Sequence, residues 1–446
     1  MNRAKIIYRI MLSWVPLLFL GACVDELEIE SLGNDGETPP LVIEAVLTDE
    51  VINQKVFLSR SSQRLDLETD TIYNPNIPLG RGPRDSVEAE SGATVRLFGD
   101  DGTTYDFFES EAGLYQSDQA FALQLGTDYT LEIITRNGNE YASDPITVPG
   151  RSELTNLYAE RATNDNGEEG IAIYVDSEPQ EGDTQFYRYA YEETYKIVAP
   201  FWQEDDFELT DYDPCALPVP TYNLEIVPRK IQNRVCYNTV LSTNIDQLST
   251  LGNPEGSISK HMVRFIGKDN FIISERYSIL VQQQVQSADA FSFYSNLNNF
   301  SQSENIFSQV QPGAIYANVF RKDGTTENVL GYVSAVGVSD QRLFFNFEDF
   351  FPGEELPPYA FGFNCELFTA PESHISFCSP FPSSGGGCPQ SIIERIDLGL
   401  INYYSIYQED LVPNAACPGP YIFVSNLCGD CTLLGDNVEP DFWVEE

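Results

Sequence analysis

The chain has 446 residues, with 68 Asp and Glu against 25 Lys and Arg, two His and nine Cys. That length has room for two to four ordinary domains. A formal net charge of −43 combined with 28 Phe, 24 Tyr and 3 Trp describes a folded acidic protein, because disordered acidic chains lack aromatics. The charge argues against nucleic-acid binding, which needs clustered Lys and Arg. Two His leave little for His-based metal or acid–base chemistry.

Arg3, Lys5 and Arg9 precede a short apolar run, residues 11–20, which ends in Leu20-Gly21-Ala22-Cys23. A bilayer span needs about 20 apolar residues, so residues 1–22 read as a lipoprotein signal peptide rather than a transmembrane helix. Small residues directly before a Cys form a lipobox. Cleavage there makes Cys23 the lipidated mature N-terminus, and several acyl chains on one residue give a stable anchor where one chain binds marginally. Residues 23–40 read as an acidic tether: Asp25, Glu26, Glu28 and Glu30 follow the Cys, and ESLGNDGETPP is linker-like.

Residues 41–150 read as short strands. Residues 41–47 are nearly all apolar. Ala93, Val95 and Leu97 alternate with Thr94, Arg96 and Phe98, and Tyr129, Leu131 and Ile133 alternate with Thr130, Glu132 and Ile134. Such alternation puts one face on a core and the other toward water. Turn signals separate the strands at 99–102, 111–113 and Asn137-Gly138. The pattern predicts an immunoglobulin-like or prealbumin-like β-sandwich with a long loop at 62–90.

Pro149-Gly150 marks a boundary, and residues 151–446 read as a second β-rich domain. Ile171, Ile173 and Val175 alternate on one strand. Tyr187, Tyr189 and Tyr191 share a strand face expected to be half-buried. Residues 196–256 read as a Pro-rich, acidic insertion. Strands resume at 261–266, 277–284, 314–320, 329–338 and 342–347. One helix is predicted, with Ser287 as its cap, Asp289 in its first turn, and Ala290, Phe293, Tyr294 and Leu297 on one face.

Eight Cys remain after Cys23: Cys215, Cys236, Cys365, Cys378, Cys388, Cys417, Cys428 and Cys431. In an exported chain an even number reads as disulfides whose connectivity the sequence leaves open. Cys215 with Cys236 is the preferred pair, since both lie in one insertion. The remaining six brace a C-terminal region rich in Pro and Gly. Cys428-x-x-Cys431, with Cys417 nearby, also has a zinc-ligand spacing.

Several stretches resemble a family of Bacteroidota lipoproteins known as domain of unknown function 4249. They are Leu41-Val42-Ile43-Glu44, Val56-Phe57-Leu58-Ser59-Arg60-Ser61, Ser91-Gly92-Ala93-Thr94-Val95, Gly113-Leu114-Tyr115 and Asn328-Val329-Leu330-Gly331-Tyr332, together with residues 281–297 and Ile306-Phe307. The ending Cys428-Gly429-Asp430-Cys431-Thr432, then Pro440-Asp441-Phe442-Trp443, is similar to the family's terminal motifs. The resemblance implies an outer-membrane lipoprotein associated with SusC-type TonB-dependent receptors. It supplies no catalytic residues.

The residues themselves point away from an enzyme. His261 and His374 lack a Gly-x-Ser-x-Gly elbow, and with 68 acids some close carboxylate pair is inevitable and uninformative. Acidic turns at 99–102, 164–169 and 204–206 offer hard oxygen ligands without EF-hand spacing, and Asp-Gly and Asn-Gly also make turns without metal. Phe201, Trp202, Phe207 and Tyr212, and the later Phe344, Phe345, Phe347, Phe350 and Phe351, serve either packing or, where exposed, ligand contact. No catalytic residue, metal or cofactor is assigned. The expected function is a non-enzymatic, surface-facing outer-membrane lipoprotein docked on a β-barrel partner. That partner is a SusC-type TonB-dependent receptor in nutrient uptake or a component of the outer-membrane assembly machinery; a glycan-binding adhesin is a further reading.

Overall fold

The structure is a computed structural model that describes residues 39–60, 88–214, 216–217, 220–253, 255–302, 317–325, 329–359, 365–372, 392–415 and 418–445. Residues 1–23, nearly all of the stretch 62–90 expected as a loop, His374, and Cys215, Cys378, Cys388 and Cys417 lie outside the described residues. The protein is all-β, with one helix of substantial length.

The first strands are β1 (Leu41–Thr48), β2 (Lys55–Arg60), β3 (Glu88–Ala89), β4 (Thr94–Gly99), β5 (Thr104–Glu111), β6 (Leu114–Ser117), β7 (Tyr129–Ile134) and β8 (Glu140–Ser143). They pair antiparallel in the order β1-β2-β6-β5-β4-β7-β8. The period-2 pattern decides which way they face. Leu41, Ile43, Ala45 and Leu47 point inward with Val95, Leu97, Leu131 and Ile133, and Tyr115, Tyr129 and Tyr141 fill the remaining volume. Burying one such large side chain contributes about 1.5–3 kcal/mol. No disulfide stands among the described residues of this part, so its cohesion rests on that core.

The next strands are β9 (Gly150–Thr163), β10 (Glu169–Gly182), β11 (Phe186–Val198), β12 (Asp205–Asp213), β13 (Thr221–Pro228), β14 (Val235–Leu241), β15 (Asp246–Ser249), β16 (Ile258–Gly267) and β17 (Tyr277–Val285). A β16-β10-β9 sheet shares a core with β11, β14 and β17. Tyr187 and Tyr189 are fully buried in it, deeper than a half-buried stripe, and Tyr191 alone stays partly open. Buried Glu193 sits in the same layer. It is made tolerable by Arg264 Nε at 3.1 Å and by the Tyr277 hydroxyl, which donates at 2.7 Å. An unpaired charge there would be costly.

The span 196–256 is less of an insertion than its composition indicates. β14 and β15 both pair with β11, and only the β12–β13 hairpin leaves the sheet. Clustered Pro and acidic residues mask these strands because none has a cleanly buried face.

Helix α1 (Ala288–Gln302) starts as predicted, with Ser287 Oγ accepting from the Ala290 amide at 3.2 Å. It is followed by β18 (Val319–Arg321) and β19 (Leu330–Phe345). The two strands read at 329–338 and 342–347 are one. The first half of β19 runs parallel to β1 from Val42↔Leu330 to Thr48↔Val336, and its second half runs antiparallel to β17 from Gly337 to Phe345. Val319, Val333 and Ala335 therefore lie in the N-terminal core, and Phe345 in the second. Where the two halves meet, β9 crosses so closely that a Cβ on Gly337 would lie 2.1 Å from the Gly150 carbonyl oxygen.

The C-terminal part is a small sheet, β20 (Phe368–Thr369), β21 (Ile401–Ile406) and β22 (Tyr421–Ser425), with short helices Ile392–Asp397 and Asn426–Gly429. It packs on the β12–β13 hairpin through Ile392, Ile393, Ile401 and Phe423 against Phe207, Leu209, Tyr222 and Leu224. The last residues cross the outer sheet face as a strap. Trp443 meets Tyr237 and Phe344, and Phe442 lies under the Arg342 guanidinium.

Cys236 is bonded to Cys431 and Cys365 to Cys428. This replaces the expected Cys215–Cys236 pair. Proximity in sequence misleads here, because β14 carries Cys236 to the 431–436 segment, where the Tyr237 amide donates to the Asp436 carbonyl at 2.8 Å. With Cys428 and Cys431 each bonded to a different partner, neither offers the thiolate that a zinc site requires.

Candidate functional site

After Val198, β11 extends by one hydrogen bond, from the Ala199 amide to the Arg234 carbonyl at 2.8 Å. Pro200 then interrupts the ladder, since it has no N–H to donate. The chain turns, and residues 199–205 form one wall of a cavity of about 440 Å³ closed by Arg234 and Tyr403.

Each wall is fixed from behind. The Trp202 indole N–H donates to Asn233 Oδ1 at 2.7 Å, and Asn233 Nδ2 donates to Asp430 Oδ2 at 2.6 Å. Asp430 also caps the following turn, accepting from the Thr432 amide at 2.8 Å. The Phe201 amide donates to the Cys428 carbonyl, and the Cys431 amide to the Asn233 carbonyl, both at 3.0 Å. The Cys-Gly-Asp-Cys stretch is thus the scaffold of the Trp202 wall. On the other side Asp206 accepts from the Tyr403 amide and from Asn402 Nδ2, each at 2.8 Å, and pairs with Arg229 at 2.9 Å. Arg229 in turn donates to the Gln203 carbonyl at 3.0 Å. Burial, and then Asp205, pushes the Tyr403 phenol above its ordinary pKa.

The polar surface of this cavity mixes signs. The side chains of Glu204, Asp205 and Arg234 make no ion pair or hydrogen bond among the described residues, unlike most described Lys and Arg of this chain. A second, larger cleft of about 680 Å³ lies beside α1, bordered by Asp144, Asp183, Asp289, Phe293 and Tyr332. Burial, then Asp289 and Asp144, raises the Tyr332 phenol.

The other aromatic and histidine residues singled out from the sequence have structural partners where they are described. Phe207 stands edge-on to Tyr403 and Tyr421, and Phe345, Phe347 and Phe351 are core. His261 lies 3.0 Å from Asp246 and against the Tyr189 ring. In the acidic turns at 99–102 and 164–169 the oxygens hold the turn itself: Asp101 Oδ1 accepts from the Thr103 amide and hydroxyl, and Asn164 Oδ1 from the Asn166 and Glu168 amides. Sequence reading missed Asn233, Arg234, Asn402 and Tyr403. The one signal pointing at them was the Cys-Gly-Asp-Cys motif.

These features define the chain as an all-β, disulfide-braced protein with two sandwich cores sharing one strand. The chain belongs to the family described as Domain of unknown function (DUF4249), whose profile matches residues 24–342. The match ends inside β19, ahead of the Cys-Gly-Asp-Cys scaffold. A comparison with curated proteins finds no match.

Proposed function

We propose that the chain is a non-enzymatic, lipid-anchored subunit of an outer membrane, facing the exterior and docked on a β-barrel partner. The observation that carries this reading is the leader, Leu20-Gly21-Ala22-Cys23 after a basic, apolar start, followed by an acidic tether and a fold beginning at Leu41. Among the described residues no helix is long and apolar enough to cross a membrane, so retention there would rest on the lipid. Family resemblance favours a SusC-type TonB-dependent receptor of Bacteroidota as the partner, in nutrient capture or uptake. The excess of 68 acidic over 25 basic residues suits steering toward basic barrel loops.

The test is a mild-detergent pull-down of the tagged native protein with mass spectrometry. A stoichiometric SusC-type barrel supports the receptor-subunit reading. An assembly-type barrel with further components replaces it with an external biogenesis scaffold. Recovery of the protein alone refutes docking. Substitution Cys23→Ala is expected to release the protein from the membrane fraction.

A further inference from the structure

We infer that the Trp202 cavity binds a neutral saccharide. The argument starts from what the walls offer. An indole and a phenol, both partly exposed, are among the residues that line it, and aromatic rings are the groups that pack on the C–H face of a sugar ring. Beside them stand a guanidinium that only donates and two carboxylates that only accept, all three side chains without an ion pair or hydrogen bond among the described residues. An anionic ligand would meet Glu204 and Asp205, and a cationic one Arg234. A hydroxyl donates and accepts at once, so a polyhydroxylated neutral ligand serves both signs within one small cavity.

Preorganisation supports the same conclusion. Trp202 is tied through Asn233 to Asp430, which lies between two disulfide-bonded Cys, and Tyr403 is tied through its amide to Asp206. A site whose rings are fixed before the ligand arrives loses little conformational entropy on binding. Aromatic surface, mixed unpaired charges and a braced frame coincide here. The larger cleft beside α1 has carboxylates and rings but no cation on its walls.

The inference is independent of barrel docking, and its test uses the purified full-length lipoprotein in detergent micelles. The protein is applied to an array of neutral and acidic oligosaccharides, and hits are titrated by calorimetry. Saturable binding of a neutral oligosaccharide is expected. Arg234→Ala and Glu204→Gln are each expected to weaken it roughly tenfold, the scale of one hydrogen bond to a charged group. Both side chains are on the surface, so folding is retained, which circular dichroism verifies. Asp183→Asn, in the other cleft, is expected to leave the affinity unchanged. The inference is overturned if no glycan on the array binds, if only acidic glycans bind, or if affinity is unaltered in both cavity variants. Such a result leaves the pull-down outcome untouched.

Discussion

The side chain of Asn318 hydrogen-bonds both backbone groups of Val333: Nδ2 donates to the carbonyl at 2.7 Å and Oδ1 accepts from the amide at 2.9 Å. Asn318 immediately precedes β18, the last strand on one side of the N-terminal sandwich, while Val333 lies in β19 beyond β1 on the other. Its own carbonyl accepts from the Asp144 amide at 2.7 Å. One carboxamide thus joins the two ends of the strand order, completing a rung that main chain alone does not supply. Asn318→Ala should cost about 1–3 kcal/mol, because two backbone groups lose their partners. Urea denaturation measures it, and an unchanged midpoint would show that the rung carries no weight.

The Cys236–Cys431 bridge closes a very long loop, with a sequence separation of 195. Replacing both Cys with Ser should cost about 2–5 kcal/mol. The loss should be local. Hydrogen exchange is expected to quicken at 232–237 and 428–436, which meet at this bridge, while β4 and β7 keep their protection. Uniform acceleration would contradict the partition into separate cores.

Trp443 is 7% exposed, with ring centroids 4.9 Å from Tyr237 and 5.7 Å from Phe344. Trp443→Ala should cost about 3 kcal/mol, as for other large-to-small changes at buried aromatics, and should free the strap. Limited proteolysis near residue 438 reads the second effect directly. Resistance equal to the native protein would mean that the strap is held by its ion pair instead, Lys196 with Glu445 at 2.7 Å.

Glu275 gives a pH-dependent test. Burial raises its carboxyl above the ordinary range, Lys196 opposes the shift, and Glu445 adds to it. A raised folded-state pKa means that the folded protein holds this proton more tightly than the unfolded chain does. Ionisation at neutral pH therefore works against folding, and the penalty fades as pH falls through the folded-state value. Glu275→Gln should raise the melting temperature at pH 7 and lose that advantage under acid conditions. A gain independent of pH would point to packing, not charge.

The parts of this architecture that were legible in the sequence are those coded locally. Alternation at 94–99 and 129–134 placed strands facing a core, and Ser287 with its i, i+3, i+4 pattern placed α1. What escaped depends on residues far apart. Nothing near Leu330 announces a parallel partner at Val42, since parallel pairing leaves only an apolar run. Cys236 finds Cys431 rather than Cys215 because β14 carries it there. The candidate cavity is lined by three separated segments, around 202, 234 and 403, and braced by a fourth around 430. The terminal motif marked its scaffold, while Arg234 and Tyr403 look like ordinary surface residues in isolation.

The shared strand β19 has a mechanical consequence. The chain enters the fold at Leu41, and β1 lies alongside β19 through seven parallel register pairs. A pull on the N-terminus along the strand axis loads these rungs side by side in shear, where peeling would break them one at a time. Because β19 continues directly into the second sandwich, the load passes to β17 without crossing a hinge. The two cores should therefore resist extension as one unit, with a single high-force rupture in place of two successive ones.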